Sequence, residues 1–286
     1  MRLNQNIASL NIYKNYKRNL KLQSASLEKI STGNKINKAK DDPNKLGMSE
    51  GLRMQIRGIQ SAEKNLQDGS SMMQSVEGSL SSITEMLLRM KELVIQGSNG
   101  TNSDADLQTI QAEIVQIKEN IDFTANTSDF NGVNLLHNEN VDNNNYPGYK
   151  THMVGANSGE ELQVPLFNIS TNILKDKDGN NVKNIDVTDR DKVNKNISAI
   201  DSAISIVNDV RSKYGAIQSR METSYENLIS TSSTLQKSES KVRDADIALE
   251  MVEYSRTSVL HNSALSILNQ SNNFPQDVLR ILERIK

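Results

Sequence analysis

The sequence predicts a mainly α protein: an elongated antiparallel helical bundle with paired terminal coiled-coil helices and a small β-hairpin region. Three observations carry that expectation. Apolar or small residues alternate at spacings of four and three over long stretches, the pattern of a packed helical seam. Both ends of the chain carry apolar stripes at helical spacing. A polar, asparagine-rich middle segment interrupts the helical pattern.

The first long run reads Ala62, Leu66, Gly69, Met73, Val76, Leu80, Ile83, Leu87, Met90 and Val94. A shorter run follows at Leu107, Ile110, Ile114, Ile117 and Ile121, with Ser103 as an expected N-cap and Asp106 at the capping-box position. Gly97-Ser98-Asn99-Gly100 separates the two and breaks the helix, so they should fold back as an antiparallel pair. The third run keeps heptad phase through Val193, Ile197, Ile200, Ile204, Val207, Arg211, Tyr214, Gln218, Met221, Tyr225, Leu228, Ser232 and Leu235. Its polar members at 211, 218 and 232 would weaken the seam and fix its register.

The N-terminal stripe comprises Leu3, Ile7, Leu10, Tyr13, Tyr16, Leu20, Leu27 and Ile30, ahead of Gly33. The C-terminal stripe reads Ile247, Met251, Tyr254, Ser258, His261, Leu265 and Leu268. A break is expected at 272–275, after which Phe274, Val278, Ile281 and Ile285 add another apolar face. Each terminal stripe needs something to bury it, and the other terminus is the expected partner. Because two termini can cover only one face of each other, both are expected to be disordered in a free monomer and helical in an assembly.

Residues 129–191 differ in kind. Glu161–Ile169 and Asn181–Val187 have β character, and Asn131-Gly132 and Asp178-Gly179 are turn signals. This segment reads as a hairpin region with loops, the most solvent-exposed part of the molecule, within which residues 140–150 should tolerate deletion.

Hydrophobic residues make 36% of the 286 and aromatics 4%, with no Trp. Even with glycine counted in, that falls short of the roughly 45–50% apolar share of an ordinary globular domain. Thin cores, or stripes covered by partners, fit this composition. A net charge of -2 supplies no electrostatic reason for binding nucleic acid or an anionic membrane surface. With no cysteine, disulfides, thiolate metal sites and thiol catalysis are excluded together. No window approaches the length of apolar chain that spans a bilayer, so membrane insertion is not expected. The first seventeen residues, MRLNQNIASLNIYKNYK, are too polar for a secretory h-region.

Catalytic and cofactor chemistry finds no foothold. The histidines are His137, His152 and His261, and none sits in HExxH or HxH spacing. No P-loop, GxGxxG or GxSxG occurs, so neither an enzyme nor a cofactor is expected. Asp176, Asp178 and Asn180 imitate the start of a calcium loop, but Gly179 is misplaced and Val187 stands where the closing Glu belongs. Asp41-Asp42 and the Asp244/Asp246 pair read as helix-start and surface charges. Met72, Met73, Met86 and Met90 read as deformable core.

Several stretches taken together resemble bacterial flagellin. They are LEKISTGNKINKAKDDPNKLGMSEGLRMQIRGIQSAEKNLQDGSSMMQSVEGSL from Leu27, LRMKELVIQ from Leu88, NGTNSDADLQTIQAEI from Asn99, FNGVNLL from Phe130, VGANSG from Val154, and RDADIALEMVEYSRTSVLHNSALSILNQSNNFPQDVLRIL from Arg243. The resemblance implies a homopolymer, the helical filament of the bacterial flagellum, outside the cell and serving swimming motility. It divides the chain into an inner-tube helix and connector (1–42), N-terminal bundle helices (43–136), a hairpin region without outer variable domains (137–191), a C-terminal bundle helix (192–243) and a C-terminal inner-tube helix (244–286). Leu3, Ile7, Leu10, Leu265, Leu268, Val278 and Ile281 would pack the inner tube. Arg89, Glu92, Leu93 and Glu113 would form an inter-subunit patch that also meets the vertebrate flagellin receptor. A flagellar export chaperone at the C-terminal segment, the filament cap and hook–filament junction proteins are the other implied partners, with export lacking a cleaved signal peptide. Pro43 departs from the small residue usual in the family and should stiffen its connector. The alternative within the family is a hook–filament junction protein.

Overall fold

The fold is given by a computed structural model, which describes residues 6–137, 144, 147–176, 178–189 and 192–284. In chain order the helices are α1 (Ile7–Thr32), α2 (Pro43–Gly97), α3 (Asp104–Thr127), α4 (Val193–Arg243) and α5 (Ile247–Arg284). Between α3 and α4 lie β1 (Asp129–Phe130), β2 (Val133–Asn134), β3 (Gly148–Met153), β4 (Glu161–Leu166) and a 3-10 turn at Val182–Asn184. β1 pairs antiparallel with β2, and β3 with β4. The mainly α class with two small hairpins is therefore as the sequence predicts.

The helix ends follow from local chemistry. Asn6 Oδ1 accepts from the Ser9 N–H at the start of α1, and Gly33 (φ 71°) closes it in the left-handed conformation. Asp42 Oδ1 accepts from the Lys45 N–H, and Pro43 occupies the first helical position of α2, where its missing N–H costs nothing. Ser103 and Asp106 form the expected capping box on α3. Asp246 Oδ1 accepts from the N–H groups of Ala248 and Leu249 and starts α5. Asp42 and Asp246 are thus helix-start groups, while Asp41 accepts from the N–H groups of Asn37 and Lys38 and Asp244 from the Ser240 hydroxyl.

The chain divides into two compact units: Met1–Ile56 with Ser233–Lys286, and Arg57–Ser232. The second unit holds most of the core. All ten positions of the 62–94 heptad are buried, as are Leu107, Ile110, Ile114, Ile117 and Ile121. Met73 and Met90 are fully inside, with Met72 and Met86 packed against that core.

On α4 the seam differs from the heptad first expected. Ile200, Val207, Tyr214 and Met221 are buried as foreseen, but their companions are Ala203 and Val210 rather than Ile204 and Arg211. Arg211 sits at the edge, where Nε donates to Glu77 Oε1 at 3.0 Å. The small alanine lets the helices close, and the longer side chains beside it flank the contact.

Among the described residues, the polar middle is not the most exposed part of the molecule. Leu162, Val164, Leu166, Phe167, Ile169, Leu174, Val182, Ile185 and Val187 all join the core. The Tyr214 hydroxyl donates to the Pro165 carbonyl at 2.9 Å, and the Tyr214 ring meets Phe167 edge-on at 5.4 Å. Asn181–Val187 forms a 3-10 turn rather than a strand, beginning with a bridge to Lys175. Asn131 (φ 52°) and Gly132 (φ 77°) make the tight β1–β2 turn that the Asn-Gly pair predicts. Asp176 accepts from the hydroxyls of Ser198 and Ser202, consistent with a plain turn. Tolerance of a 140–150 deletion is not expected on this fold. It would remove Gly148–Lys150 from β3 and also Asn144, whose amide donates to the Asn168 carbonyl at 2.8 Å.

α5 continues through Pro275 to Arg284, so the expected break at 272–275 is absent.

Candidate subunit interfaces

In the unit built from the two chain ends, α1 and α5 run antiparallel. Lys29 Nζ meets Glu250 Oε1 at 2.8 Å, the Tyr16 and His261 rings stand 4.8 Å apart, and the Asn6 amide donates to the Ser271 carbonyl at 2.9 Å. The connectors at the other end are tied by backbone: Lys35 N–H donates to Arg243 O at 2.8 Å and Ala245 N–H to Gly33 O at 2.9 Å. Close by, Ser49 is fully buried, Arg53 Nε donates to Glu239 at 2.9 Å, and Arg243 meets Glu50 at 2.7 Å. These side chains fix the start of α2 and the end of α4 beside the connectors.

The line of α1 turned inward reads Ser9, Ile12, Tyr16, Asn19, Gln23 and Ser26, a largely polar set. On α5 the corresponding line includes Glu250, Tyr254, Thr257, His261 and Ala264. Much of the apolar surface meanwhile points away from the pair: of the stripe, Ile7 is 67% exposed and Leu10 52%, with Tyr13, Leu20, Leu27, Ile247, Met251 and Leu265 also exposed, and Val252, Val259 and Ile267 add to that surface. The expectation that each terminus buries the other's stripe therefore holds only in part: Tyr16, Ile30, Tyr254, His261 and Leu268 turn inward, while the remaining described apolar members stay exposed and hydroxyls, amides and one ion pair complete the contact. Of the residues assigned to inner-tube packing, Ile7, Leu10 and Leu265 are exposed and Leu268 is half-buried. Leu3 and the side chains of Val278 and Ile281 lie outside the described residues.

The second candidate patch is on α2 and α3. Arg89 Nε and one Nη both donate to Glu113 Oε1 (3.1 and 2.9 Å), and the other Nη donates to Glu92 Oε2 at 3.1 Å. Hydrogen bonds that Arg89 donates to Glu113 first, then to Glu92, raise the guanidinium pKa above its ordinary value. All three side chains are exposed. Leu93 is not with them. It is 1% exposed and belongs to the core, since the position after Glu92 turns toward the α2 seam with Val94. The exposed apolar neighbour of this patch is Leu88.

His152 has a structural role. His152 Nε2 lies 2.6 Å from the Asn65 carbonyl, so that nitrogen carries the proton and donates. Asn65 Nδ2 returns a bond to the Met153 carbonyl at 3.3 Å, clasping β3 to α2. Gly69 permits the approach, since a Cβ there would stand 2.9 Å from His152 Nε2. Among the described residues no three His, Asp or Glu gather as a metal site, and no helix is long and apolar enough to cross a membrane.

A capped, helix-dominated chain that leaves an apolar stripe on both terminal helices has the construction of a structural subunit completed by neighbours. Family models for the bacterial flagellin N-terminal helical region and C-terminal helical region match residues 3–141 and 197–282. The flagellin of Halalkalibacterium halodurans is 37% identical over 282 residues, covering 99% of this chain and 100% of that one. The flagellar filament 30.7 kDa core protein of Treponema maltophilum is 34% identical over 284 residues, with 99% and 100% covered. The chain belongs to the bacterial flagellin family. A solved structure described as a flagellar hook-associated protein from Vibrio parahaemolyticus covers 71% of this chain and 100% of its own at TM-score 0.60, and at 18% identity shares the fold alone.

Proposed function

We propose that this chain is a structural, non-catalytic subunit that polymerises into the helical filament of the bacterial flagellum, outside the cell. The observation that carries the reading is the α1–α5 pair, joined largely through polar and ring side chains, with much of its apolar surface turned outward. Exposed apolar side chains in such number on two long helices gain most by being covered, and further copies of the same chain cover them in an open helical array. The name of the Treponema relative as a filament core protein agrees. Electron microscopy after seeding purified protein with filament fragments tests it. Long uniform filaments are expected, and failure to elongate under any seeding condition would overturn the reading.

The remaining partners rest on the same surfaces. The exposed apolar residues of α5 offer an export chaperone a face to shield until the subunit leaves the cell through the flagellar secretion apparatus. At the growing and proximal ends, the cap and the hook–filament junction proteins meet the same terminal helices. The Arg89–Glu92–Glu113 cluster, exposed with Leu88, offers both an inter-subunit contact and a surface for the vertebrate flagellin receptor. No feature favours the hook–filament junction role.

A further inference from the structure

An open filament needs a heterologous contact, in which a projection on one copy fits a recess elsewhere on the next. Unit Arg57–Ser232 carries both. On α3 the apolar residues Leu107, Ile110, Ile114, Ile117, Ile121 and Ala125 are buried, yet Phe123 lies off that stripe and is 67% exposed. Within the same unit a cavity of about 480 Å³ opens between α2 and the two hairpins. Met72, Phe130, Val133, Leu135, Val164 and Leu166 make its apolar lining. Its polar lining includes Asp68 and Lys150, and Phe123 of the same chain does not contribute to it.

We infer that this cavity receives Phe123 of a second copy, forming a repeating knob-and-recess contact along the filament. The inference rests on the filament-subunit reading and names the contact it would use. Shape and chemistry agree: an aromatic ring exposed to water at a real cost finds an aromatic- and methionine-bearing recess. Charge sets the orientation. Glu119 is exposed one turn before Phe123 on α3, and Lys150 on the recess is likewise exposed. Docking with Glu119 toward Lys150 and away from Asp68 is attractive, while the reversed pose places two carboxylates together. The recess itself is held open: the Asn65–His152 clasp, with Gly69 beneath it, fixes β3 against α2 at one edge.

The absence of cysteine from the chain makes the test clean. Phe123→Cys and Thr151→Cys proteins, Thr151 being an exposed residue of the recess, are copolymerised as minor components with the unaltered chain and then oxidised. A disulfide-linked dimer of one variant with the other, present in filaments and absent from unpolymerised mixtures, is expected. In parallel, Phe123→Ala should slow seeded elongation by roughly tenfold or more, the size of a central interface truncation, without moving the monomer's melting temperature. Filaments that contain both cysteine variants yet give no mixed dimer overturn the inference, as does wild-type elongation by Phe123→Ala. If the unaltered chain does not elongate, the filament-subunit reading fails instead, so the two failures are distinguishable.

Discussion

The Asn6 side-chain amide donates to the Ser271 carbonyl oxygen at 2.9 Å, joining the first turn of α1 to α5 four residues before Pro275. That carbonyl is the one a proline at 275 leaves without its helical donor, because Pro has no N–H to return to residue i-4. The same side chain caps α1 through Oδ1, which accepts from Ser9 N–H at 3.0 Å. One asparagine thus starts one helix and satisfies the flaw in the other, while Ser9 Oγ adds a bond to Asn272 Oδ1 at 2.8 Å. Asn6→Ala should therefore cost the terminal pair more than an ordinary cap, whose loss is about 1 kcal/mol. The filament's melting temperature should fall while the monomer's main transition, set by the 57–232 core, stays put. An unchanged filament transition would show that the bond contributes nothing to assembly.

Arg89→Glu should impair filament growth far more than it disturbs the monomer. The substitution sets three carboxylates together where Arg89 now bridges Glu92 and Glu113. Exposed ion pairs contribute only about 0–1 kcal/mol to folding, so the monomer's melt should hardly move. Seeded elongation measured beside that melt decides the matter, and unaltered growth would remove the patch from the list of interfaces.

The anchoring of the hairpins to the helices is open to two complementary substitutions. Tyr214→Phe deletes the hydroxyl that donates to Pro165 O and should lower monomer stability by about 1 kcal/mol. Gly69→Ala pushes a methyl to 2.9 Å from His152 Nε2 and 3.1 Å from Met221, which should cost about 1–3 kcal/mol and loosen β3. Urea melts give both values. Equal effects near zero would mean that the hairpins contribute little to the core.

Much of this architecture was legible in the sequence, and each failure has a physical cause. Large apolar residues announced the 62–94 seam and α3 correctly, and Ser103 with Asp106 marked a helix start that the structure reproduces. Hydropathy is silent about alanine and polar contacts. It therefore points to Ile204 over Ala203 on α4, and misses that Ser9, Ser26 and Thr257 share the terminal contact with only part of the apolar stripe. The β character of Glu161–Ile169 is legible, but the asparagine-rich loops around it suggest exposure, whereas Leu162, Val164 and Leu166 complete the core. Pro275 read as a breaker because its compensating donor, Asn6, lies at the far end of the chain. The flagellin resemblance puts Leu93 in the patch with Arg89 and Glu92, but one residue along a helix turns a side chain by about 100°, and Leu93 points into the core.

The capping box on α3 gives a pH dependence with a definite sign. The Ser103 hydroxyl, then the Ser103 N–H, donate to Asp106 and hold its carboxyl below the ordinary value of 3.8. A carboxylate with a lowered folded value stabilises fully above its unfolded value, and that contribution is lost as pH falls through the folded one. Ser103→Ala should cost about 1 kcal/mol at neutral pH. Its difference from the unaltered chain should then narrow as Asp106 protonates in acid, without vanishing, because Ser103 Oγ still accepts from Asp106 N–H. A gap that stays constant down to strong acid would mean the carboxylate takes no part.

The terminal helices should fold only on assembly. Among the described residues of α1, Ser26 alone is buried, and on α5 Thr257 alone reaches that state. Ordering a residue's backbone costs about 1–2 kcal/mol, and the α1–α5 contact offsets it with a few hydrogen bonds, an ion pair and one ring contact. An isolated amphipathic helix gains little from propensity, so the balance turns on covering Ile7, Leu10, Leu20 and the outward residues of α5, which a monomer leaves in water. In a filament neighbouring copies remove that surface from water, and the pair becomes stable as it is buried, a coupled folding and binding step. Hydrogen exchange on monomer and filament reads this directly. Amides of 7–32 and 250–284 should exchange rapidly in the monomer and slowly in the filament, while those of 62–94 and 107–121 are protected in both. Strong protection of both termini in the free monomer would mean that the polar pairing suffices on its own, and the outward stripe would then serve only as an adhesive between preformed helices.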